Sequence, residues 1–203
     1  MVGPTLIPAS TPPWILGAGH RAIPGFFCRP RLSLFPPPYP MAATTKPIPD
    51  GFHSVTPYLT VRDAAKAIEF YRRAFGATER GRLIMPDGKV GHAELVIGNS
   101  IVMLADEFAH SGNHWPQSLK GATAGLALYV EDVDAAFARA VEAGATVKEP
   151  VGVKPWGDRA GSVTDPFGHK WTLLTHIEDV AFPEIQRRME QFFSGGAEKG
   201  KGI

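Results

Sequence analysis

The residues best suited to chemistry in this sequence are a histidine and a glutamate two positions apart. His92 and Glu94 lie in the strand-like stretch GHAELVIG, where a period of two places both side chains on one face. Ala93, Leu95 and Ile97 form the alternate apolar set, so the polar pair is predicted to face away from the core. The pair could act as a general base with an orienting partner, supply two metal ligands, or be only a hydrogen-bonded polar pair.

A second candidate group is the run Trp156-Gly-Asp-Arg159. Tryptophan offers a large flat surface and arginine a fork that grips carboxylate or phosphate, which favours an anionic or aromatic ligand. In the alternative interpretation Arg159 pairs with a neighbouring carboxylate and Trp156 packs as a plug. His110 and His114 lie in EFAHSGNHWPQSLKG, whose Gly, Asn and Pro predict a loop that could cover a pocket.

Composition excludes several classes of partner. Lys+Arg number 21 and Asp+Glu 20, so no basic excess indicates a nucleic-acid or membrane partner. A single cysteine, Cys28, rules out an intrachain disulfide framework and Cys-rich zinc sites. No run approaches the roughly 20 apolar residues that a spanning helix needs. We therefore expect a cytoplasmic protein with no nucleic-acid and no membrane partner.

Residues 1–49 differ from the rest, since they contain no Asp or Glu and many prolines. Each proline removes an N–H donor and fixes φ, so a regular helix or central strand is not expected. Three interpretations stay open: a transit-type leader, a proline-rich ligand, or translation from an upstream start with Met41 as the natural beginning. The last is favoured, and in each case the segment is predicted to be disordered and outside the fold.

The central sequence contains one pattern twice. Asp132 follows Asp63 by 69 positions, and each comes after a Val-, Tyr- and Leu-rich stretch and before an amphipathic one. Both aspartates are predicted to cap the start of a helix, and Gly76 and Gly144 to end it. Strand-like stretches follow each helix, at 78–84, 91–97 and 100–105 in the first copy and at 146–149, 161–164 and 170–175 in the second.

This order predicts an α+β fold of two tandem βαβββ modules, about 53–106 and 123–176, within a domain spanning 50–180. The modules would form a curved mixed sheet with helices outside and a concave inner face. After the domain, 183–193 predicts a short amphipathic helix packed on the domain or on a partner subunit. The remaining tail to 203 is predicted to be disordered.

The motifs PYLTV-RD-AAKAIEFY-RRAFGA, LYVEDVDA, WGDRAG and DPFGHKW occur in order over residues 53–176. Together they resemble the PhnB-like branch of the vicinal-oxygen-chelate (glyoxalase, bleomycin resistance, extradiol dioxygenase) superfamily. The resemblance implies the fold, a homodimer and a small-molecule site on the concave sheet. It does not fix one reaction, because members include isomerases, lyases, dioxygenases and antibiotic-sequestering proteins.

Metal-using members of that superfamily hold a divalent ion with His, Glu or Gln from the first and last strand of each module. The matching positions here carry Thr56, Met103, Gly125 and Thr172. Neutral imidazole and carboxylate are the usual ligands of such ions. The resemblance therefore implies a site without the usual metal, and no cofactor is expected.

We predict a small-molecule-binding protein that sequesters an aromatic or antibiotic-like compound. One alternative is a lyase, isomerase or dioxygenase with a displaced metal or a His92/Glu94 acid–base pair. Another is an interaction module that uses the Phe-rich C-terminal helix. The predicted ligand-binding residues are Thr56, Tyr58, His92, Glu94, Met103, Gly125, Tyr129, Trp156, Arg159 and Thr172.

Overall fold

A computed structural model describes residues 45–108 and 111–197. The interpretations of residues 1–44, of His110 and of the tail from 198 to 203 fall outside these ranges. The elements of module 1 are β1 (Tyr58–Val61), α1 (Ala64–Phe75), β2 (Thr78–Ile84), β3 (Val90–Ile97) and β4 (Ser100–Asp106). Those of module 2 are β5 (Gly125–Tyr129), α2 (Val133–Ala143), β6 (Thr146–Val153), β7 (Asp158–Thr164) and β8 (Lys170–His176), and α3 (Phe182–Ala197) follows.

Each module forms a four-stranded mixed sheet, sheet 1 in the order β1-β4-β3-β2 and sheet 2 in the order β5-β8-β7-β6. The first and last strands of each module are parallel neighbours. Tyr58 lies opposite Met103, and Ala127 lies opposite Thr172, so the two modules share one register at the offset of 69. The predicted fold is confirmed. In the described residues no hydrogen-bonded pairing joins the two sheets, so the expected curved sheet is divided between β1 and β5.

The predicted helix boundaries are confirmed. The carboxylates of Asp63 and Asp132 each accept a hydrogen bond from the backbone N–H three residues on, at 3.1 and 3.0 Å. These bonds satisfy donors that the first helical turn would otherwise leave unpaired. Gly76 and Gly144 end the helices with φ values of 67° and 117°. The left-handed conformation favours glycine because a Cβ atom would strain it.

One face of each sheet packs against the helices, and the hydrophobic core runs through both modules. Tyr71 of α1 contacts Trp171 of β8 with ring centroids 5.5 Å apart. Leu95, Leu104 and Leu173 are completely buried in the same cluster. The helix layer thus fixes the two sheets relative to each other, and the opposite faces are only partly covered.

The turn between β7 and β8 links the modules through a buried aspartate. Asp165 is 4% exposed and accepts hydrogen bonds from the Tyr71 hydroxyl at 2.7 Å and from Trp171 Nε1 at 3.0 Å. It also accepts two backbone N–H bonds of its own turn, each at 2.9 Å. His169 Nε2 lies 3.0 Å from the carbonyl oxygen of Thr60 in β1. The DPFGHK turn therefore connects module 2 to both α1 and β1.

The C-terminal helix extends further than its sequence pattern predicted. α3 runs over Phe182–Ala197 rather than 183–193, and Arg188 connects it to Glu178 at 2.7 Å. Arg188 also contacts Glu184 one turn earlier, at 2.8 Å. No helix in the described ranges combines the length and apolar character needed to cross a bilayer.

Candidate functional site

Four of the predicted ligand-binding residues meet on the side of sheet 1 that faces away from the helices. This side, called here the open face of sheet 1, includes Tyr58, Thr60, His92, Glu94, Met103 and Ala105. Met103 lies opposite Tyr58 on one side and opposite Glu94 on the other. The prediction that His92 and Glu94 share a face away from the core is confirmed, because Ala93 and Leu95 between and beside them are completely buried.

A row of polar side chains, the polar row, crosses this face from β1 to β2. The Tyr58 hydroxyl lies 3.1 Å from His92 Nδ1, and His92 Nε2 lies 3.5 Å from Glu94 Oε1. Glu94 Oε2 in turn lies 3.2 Å from Arg80 Nη1. Burial raises the pKa of Tyr58, so its hydroxyl stays protonated near neutral pH and can donate to His92. With Nδ1 as the acceptor, a neutral imidazole carries its proton on Nε2, facing Glu94.

Arg80 is a member of the polar row that sequence reasoning missed. The pairing of β2 with β3 shifts register between Glu79 and Gly81, so Arg80 is the extra residue of a β-bulge. Such bulges bend a strand locally and re-aim a side chain. The signal in the sequence was Gly81, because an isolated glycine inside a strand pattern often marks a bulge.

An apolar cleft, the turn cleft, opens beside Tyr58 at the end of sheet 1. Its volume is about 510 Å³, within the usual range for small-molecule sites. The lining includes Tyr58, Thr60, Met85, Gly91, Ala105 and Phe108. A Cβ atom added to Gly91 would lie 2.7 Å from Met85 Sδ, so the glycine leaves room for that thioether at the cleft wall.

Three predicted residues lie on the corresponding side of sheet 2 and form a separate group. Gly125 begins β5, and Thr172 Oγ1 lies 3.1 Å from Ser162 Oγ. Tyr129 ends β5 with an exposed ring, and its hydroxyl donates to Asp158 Oδ2 at 3.2 Å. The described contacts do not join these residues to the polar row.

The remaining predicted residues are placed elsewhere. Arg159 donates through Nε and Nη2 to Asp134 of α2, each at 2.7 Å, so its side chain lies on the helix side of β7. Trp156 lies in the turn between β6 and β7 and is partly exposed. Thr56 precedes β1, and its hydroxyl donates to the carbonyl oxygen of His53 at 3.1 Å. The predicted gathering of Trp156 and Arg159 with Tyr58 is not found.

Asp158 of the run Trp156-Gly-Asp-Arg159 has a buried role that the sequence did not predict. Asp158 is 3% exposed, and Oδ1 lies 2.8 Å from His176 Nδ1 while Oδ2 accepts the Tyr129 hydroxyl. His176 Nε2 lies 3.0 Å from Asp179. The hydrogen bonds to Asp158 and then to Asp179 raise the pKa of His176, because both carboxylates favour the imidazolium.

Stability should depend on pH through His176. Since its folded pKa lies above the ordinary value of 6.5, protonation stabilises the fold fully below that value. The contribution is lost as pH rises through the folded pKa. Urea unfolding of the protein and of His176→Gln, from about pH 5.5 to about pH 9, should show a difference in stability that shrinks with rising pH. A difference independent of pH would contradict this assignment.

The donor set at the superfamily's four metal positions does not fit a divalent ion. Gly125 has no side chain, and Met103 offers only a soft thioether. The hydroxyls of Thr56 and Thr172 are weak neutral donors already hydrogen-bonded within the protein. Elsewhere in residues 45–108 and 111–197, no three His, Cys, Asp or Glu side chains are grouped to hold a metal.

Two further clefts, the seam clefts, border β5, with volumes of about 580 and 600 Å³. The first also reaches Tyr58 and Thr60 of β1, and the second lies against the β3–β4 turn. The stretch predicted as a loop contributes His114 and Leu119 to the first of them. Glu107 fastens this loop, accepting from Ser118 Oγ at 2.9 Å and lying 3.1 Å from His114 Nδ1. The loop thus walls a cleft, and its opening as a lid stays a prediction.

Comparison with known proteins agrees with this architecture. The profile of the Glyoxalase/Bleomycin resistance protein/Dioxygenase superfamily matches residues 51–173. An uncharacterised protein of Mycobacterium tuberculosis is 46% identical over 139 residues, covering 67% of this chain and 82% of that protein. The crystal structure of a Pseudomonas aeruginosa protein aligns with a TM-score of 0.50 and 25% identity, covering 61% of this chain and 98% of that one. A PhnB protein from Bacillus cereus aligns with a TM-score of 0.48 and 20% identity, covering 61% and 99%.

Proposed function

Since the chain belongs to the Glyoxalase/Bleomycin resistance protein/Dioxygenase superfamily, we propose that it binds a small molecule on the open face of sheet 1. The observation that carries this proposal is the meeting of Tyr58, His92, Glu94 and Met103 beside the apolar turn cleft. Ligand sites combine such apolar walls with a few polar groups that fix orientation. We propose further that the site works without the superfamily's usual divalent metal.

The chemistry of the walls favours a ligand with an aromatic or other flat apolar surface. Tyr58 is 48% exposed, so about half of its side chain is available to a ligand. Met103 and Met85 offer polarisable thioethers, which make favourable contacts with aromatic rings. The polar row at the side of the cleft would orient the polar atoms of such a ligand.

A proton-transfer enzyme is the second candidate, and the polar row favours it. His92 lies between a phenolic hydroxyl and a carboxylate, the arrangement of a base with an orienting partner. In this alternative Tyr58 would turn away and expose His92 Nδ1 to a substrate. Recovery of bound compounds chemically unchanged would favour sequestration, and their conversion, lost in His92→Gln, would favour the enzyme. We also propose a homodimer located in the cytoplasm.

Binding is tested with the neutral fluorescent probe N-phenyl-1-naphthylamine. Ala105→Phe places a ring in the turn cleft and should weaken binding of the probe at least about tenfold, since tenfold corresponds to about 1.4 kcal/mol. Ala127→Phe places a ring in the first seam cleft, which Tyr58 also lines, and should weaken binding of the probe less than Ala105→Phe does. If Ala105→Phe does not fold, Tyr58→Ala is the second variant. It removes a ring from an exposed position in an edge strand and should also weaken binding of the probe.

Wild-type protein that binds no probe saturably would contradict the proposal. If only Ala127→Phe weakens binding of the probe, the ligand lies between the modules instead.

Metal content gives an independent prediction. Protein purified without a histidine tag or chelator should contain far less than one divalent ion per chain by mass spectrometry, because the four inherited positions lack suitable donors. The binding of the naphthylamine probe should also survive treatment with a chelator. Occupancy near one ion per chain would contradict the metal-free site and make His92 and Glu94 the first ligands to substitute.

A further inference from the structure

The bulge in β2 directs an arginine toward the open face of sheet 1. Glu79 pairs with Leu95 and Gly81 pairs with Glu94, which leaves Arg80 outside the regular register. Its guanidinium approaches Glu94 at the end of the polar row, and its side chain is 40% exposed. The Arg80 guanidinium is therefore accessible to a molecule that binds on the open face of sheet 1.

The guanidinium of Arg80 is held in place, but most of its N–H donors have no partner within the described residues. Glu94 forms an ion pair with it through a single oxygen, at 3.2 Å from Nη1, and no side-chain hydrogen bond of Arg80 occurs among the described residues. The guanidinium also lies over the ring of Phe52, 5.4 Å from its centroid. Arginine presents five N–H donors in a rigid fork, so several donors stay available to a ligand.

Two other arginines each make a bidentate pair with one carboxylate. Arg82, two residues along the same strand, donates through Nε and Nη2 to both oxygens of Glu79, at 2.6 and 2.5 Å. Arg159, the arginine that the sequence pattern singled out, forms the same two-bond pair with Asp134. Arg80 has the incomplete pairing and the position on the ligand face that these two lack.

We propose that the ligand carries an oxyanion, of the carboxylate or sulfonate type, that binds Arg80 while its aromatic body lies against Tyr58 and Met103. This inference rests on the proposed function and specifies the ligand class of the same site. Three strand spacings separate β1 from β2, about 14 Å, which a two-ring molecule with an anionic substituent can largely span. Charge-assisted bonds from a guanidinium to an oxyanion are among the strongest that proteins make, so the contact would select anionic ligands.

The test compares two probes that share one aromatic skeleton. The anionic probe is 8-anilinonaphthalene-1-sulfonate, and the neutral probe is N-phenyl-1-naphthylamine, which lacks the sulfonate. Arg80→Gln should weaken the sulfonate probe about tenfold or more and leave the neutral probe within about twofold. Arg82→Gln removes one cation from the same strand and should change neither affinity. Higher salt should weaken the sulfonate probe in the wild type but not in Arg80→Gln.

The results of these binding measurements separate the oxyanion contact of Arg80 from small-molecule binding as such. Equal effects of Arg80→Gln on both probes, or equal effects of Arg80→Gln and Arg82→Gln on the sulfonate, would overturn the oxyanion contact and leave small-molecule binding intact. Failure of both probes to bind the wild type saturably would overturn the proposed function itself. Retained binding of the neutral probe also shows that Arg80→Gln is folded.

Discussion

Asp165→Ala is expected to lower the free energy of unfolding by about 4 kcal/mol, since four donors would lose their acceptor. Two of these donors, the Tyr71 hydroxyl and Trp171 Nε1, belong to side chains that are almost completely buried. A buried donor left unpaired costs about 1–3 kcal/mol. Because domains are commonly stable by only about 5–15 kcal/mol, the variant should unfold at a much lower urea concentration.

Asp87→Ala is the matched control for that substitution. Asp87 occupies the turn between β2 and β3, where its carboxylate accepts one bond, from Lys89 N at 3.1 Å, at the exposed surface. Its loss should cost no more than about 1 kcal/mol. Similar costs for Asp87→Ala and Asp165→Ala would mean that the buried carboxylate does not connect the modules as described.

Gly157→Ala is expected to destabilise the protein by about 3 kcal/mol or more, because the new methyl group has no space. Gly157 has φ of +94°, and a Cβ atom there would lie 2.0 Å from the carbonyl oxygen of Glu178. The obstacle is backbone, so it cannot be relieved by rotating a side chain. The Gly157 carbonyl oxygen also accepts bonds from the N–H groups of Ile177 and Glu178, both at 2.9 Å. Relief of the clash would therefore break the connection between the β6–β7 turn and the segment before α3.

Gly152→Ala tests whether this effect is specific to position 157. Gly152 lies in edge strand β6, and a Cβ atom there would meet nothing within 4 Å. Its substitution should change the free energy of unfolding by less than about 0.5–1 kcal/mol. Urea unfolding measures both variants, and a small effect of Gly157→Ala would contradict the close packing of this turn.

The fold was largely predictable because local patterns and the repeat agree. Asp63 and Asp132 cap their helices, and the hydrophobic alternation of β3 places His92 and Glu94 on the open face, as their spacing predicted. These features depend on period and on short-range hydrogen bonding. Such signals are contained within a few consecutive residues, so they can be recognised without knowing the fold.

The composition of the site was less predictable because it depends on register and on distant partners. Arg80 reaches the open face through a bulge, which shifts the strand's alternation by one residue. Arg159 has the right chemistry for a ligand, but Asp134, distant along the chain, engages the Nε–Nη2 edge of its guanidinium and holds it on the helix side of β7. The sequence around Asp165 indicated only a turn. Its hydrogen bond with Tyr71 was not predictable, because Tyr71 belongs to the other module.

Two-dimensional ¹H–¹⁵N NMR of the protein with the bound probe shows which strands the ligand contacts. On titration with N-phenyl-1-naphthylamine, we predict that amide shifts cluster on the open face of sheet 1 and the turn cleft, at 58–61, 91–94 and 103–106. Saturable shifts confined to β5, β8 and the loop at 111–124, with sheet 1 unchanged, would rule out binding on the open face and place the ligand on sheet 2 or between the modules.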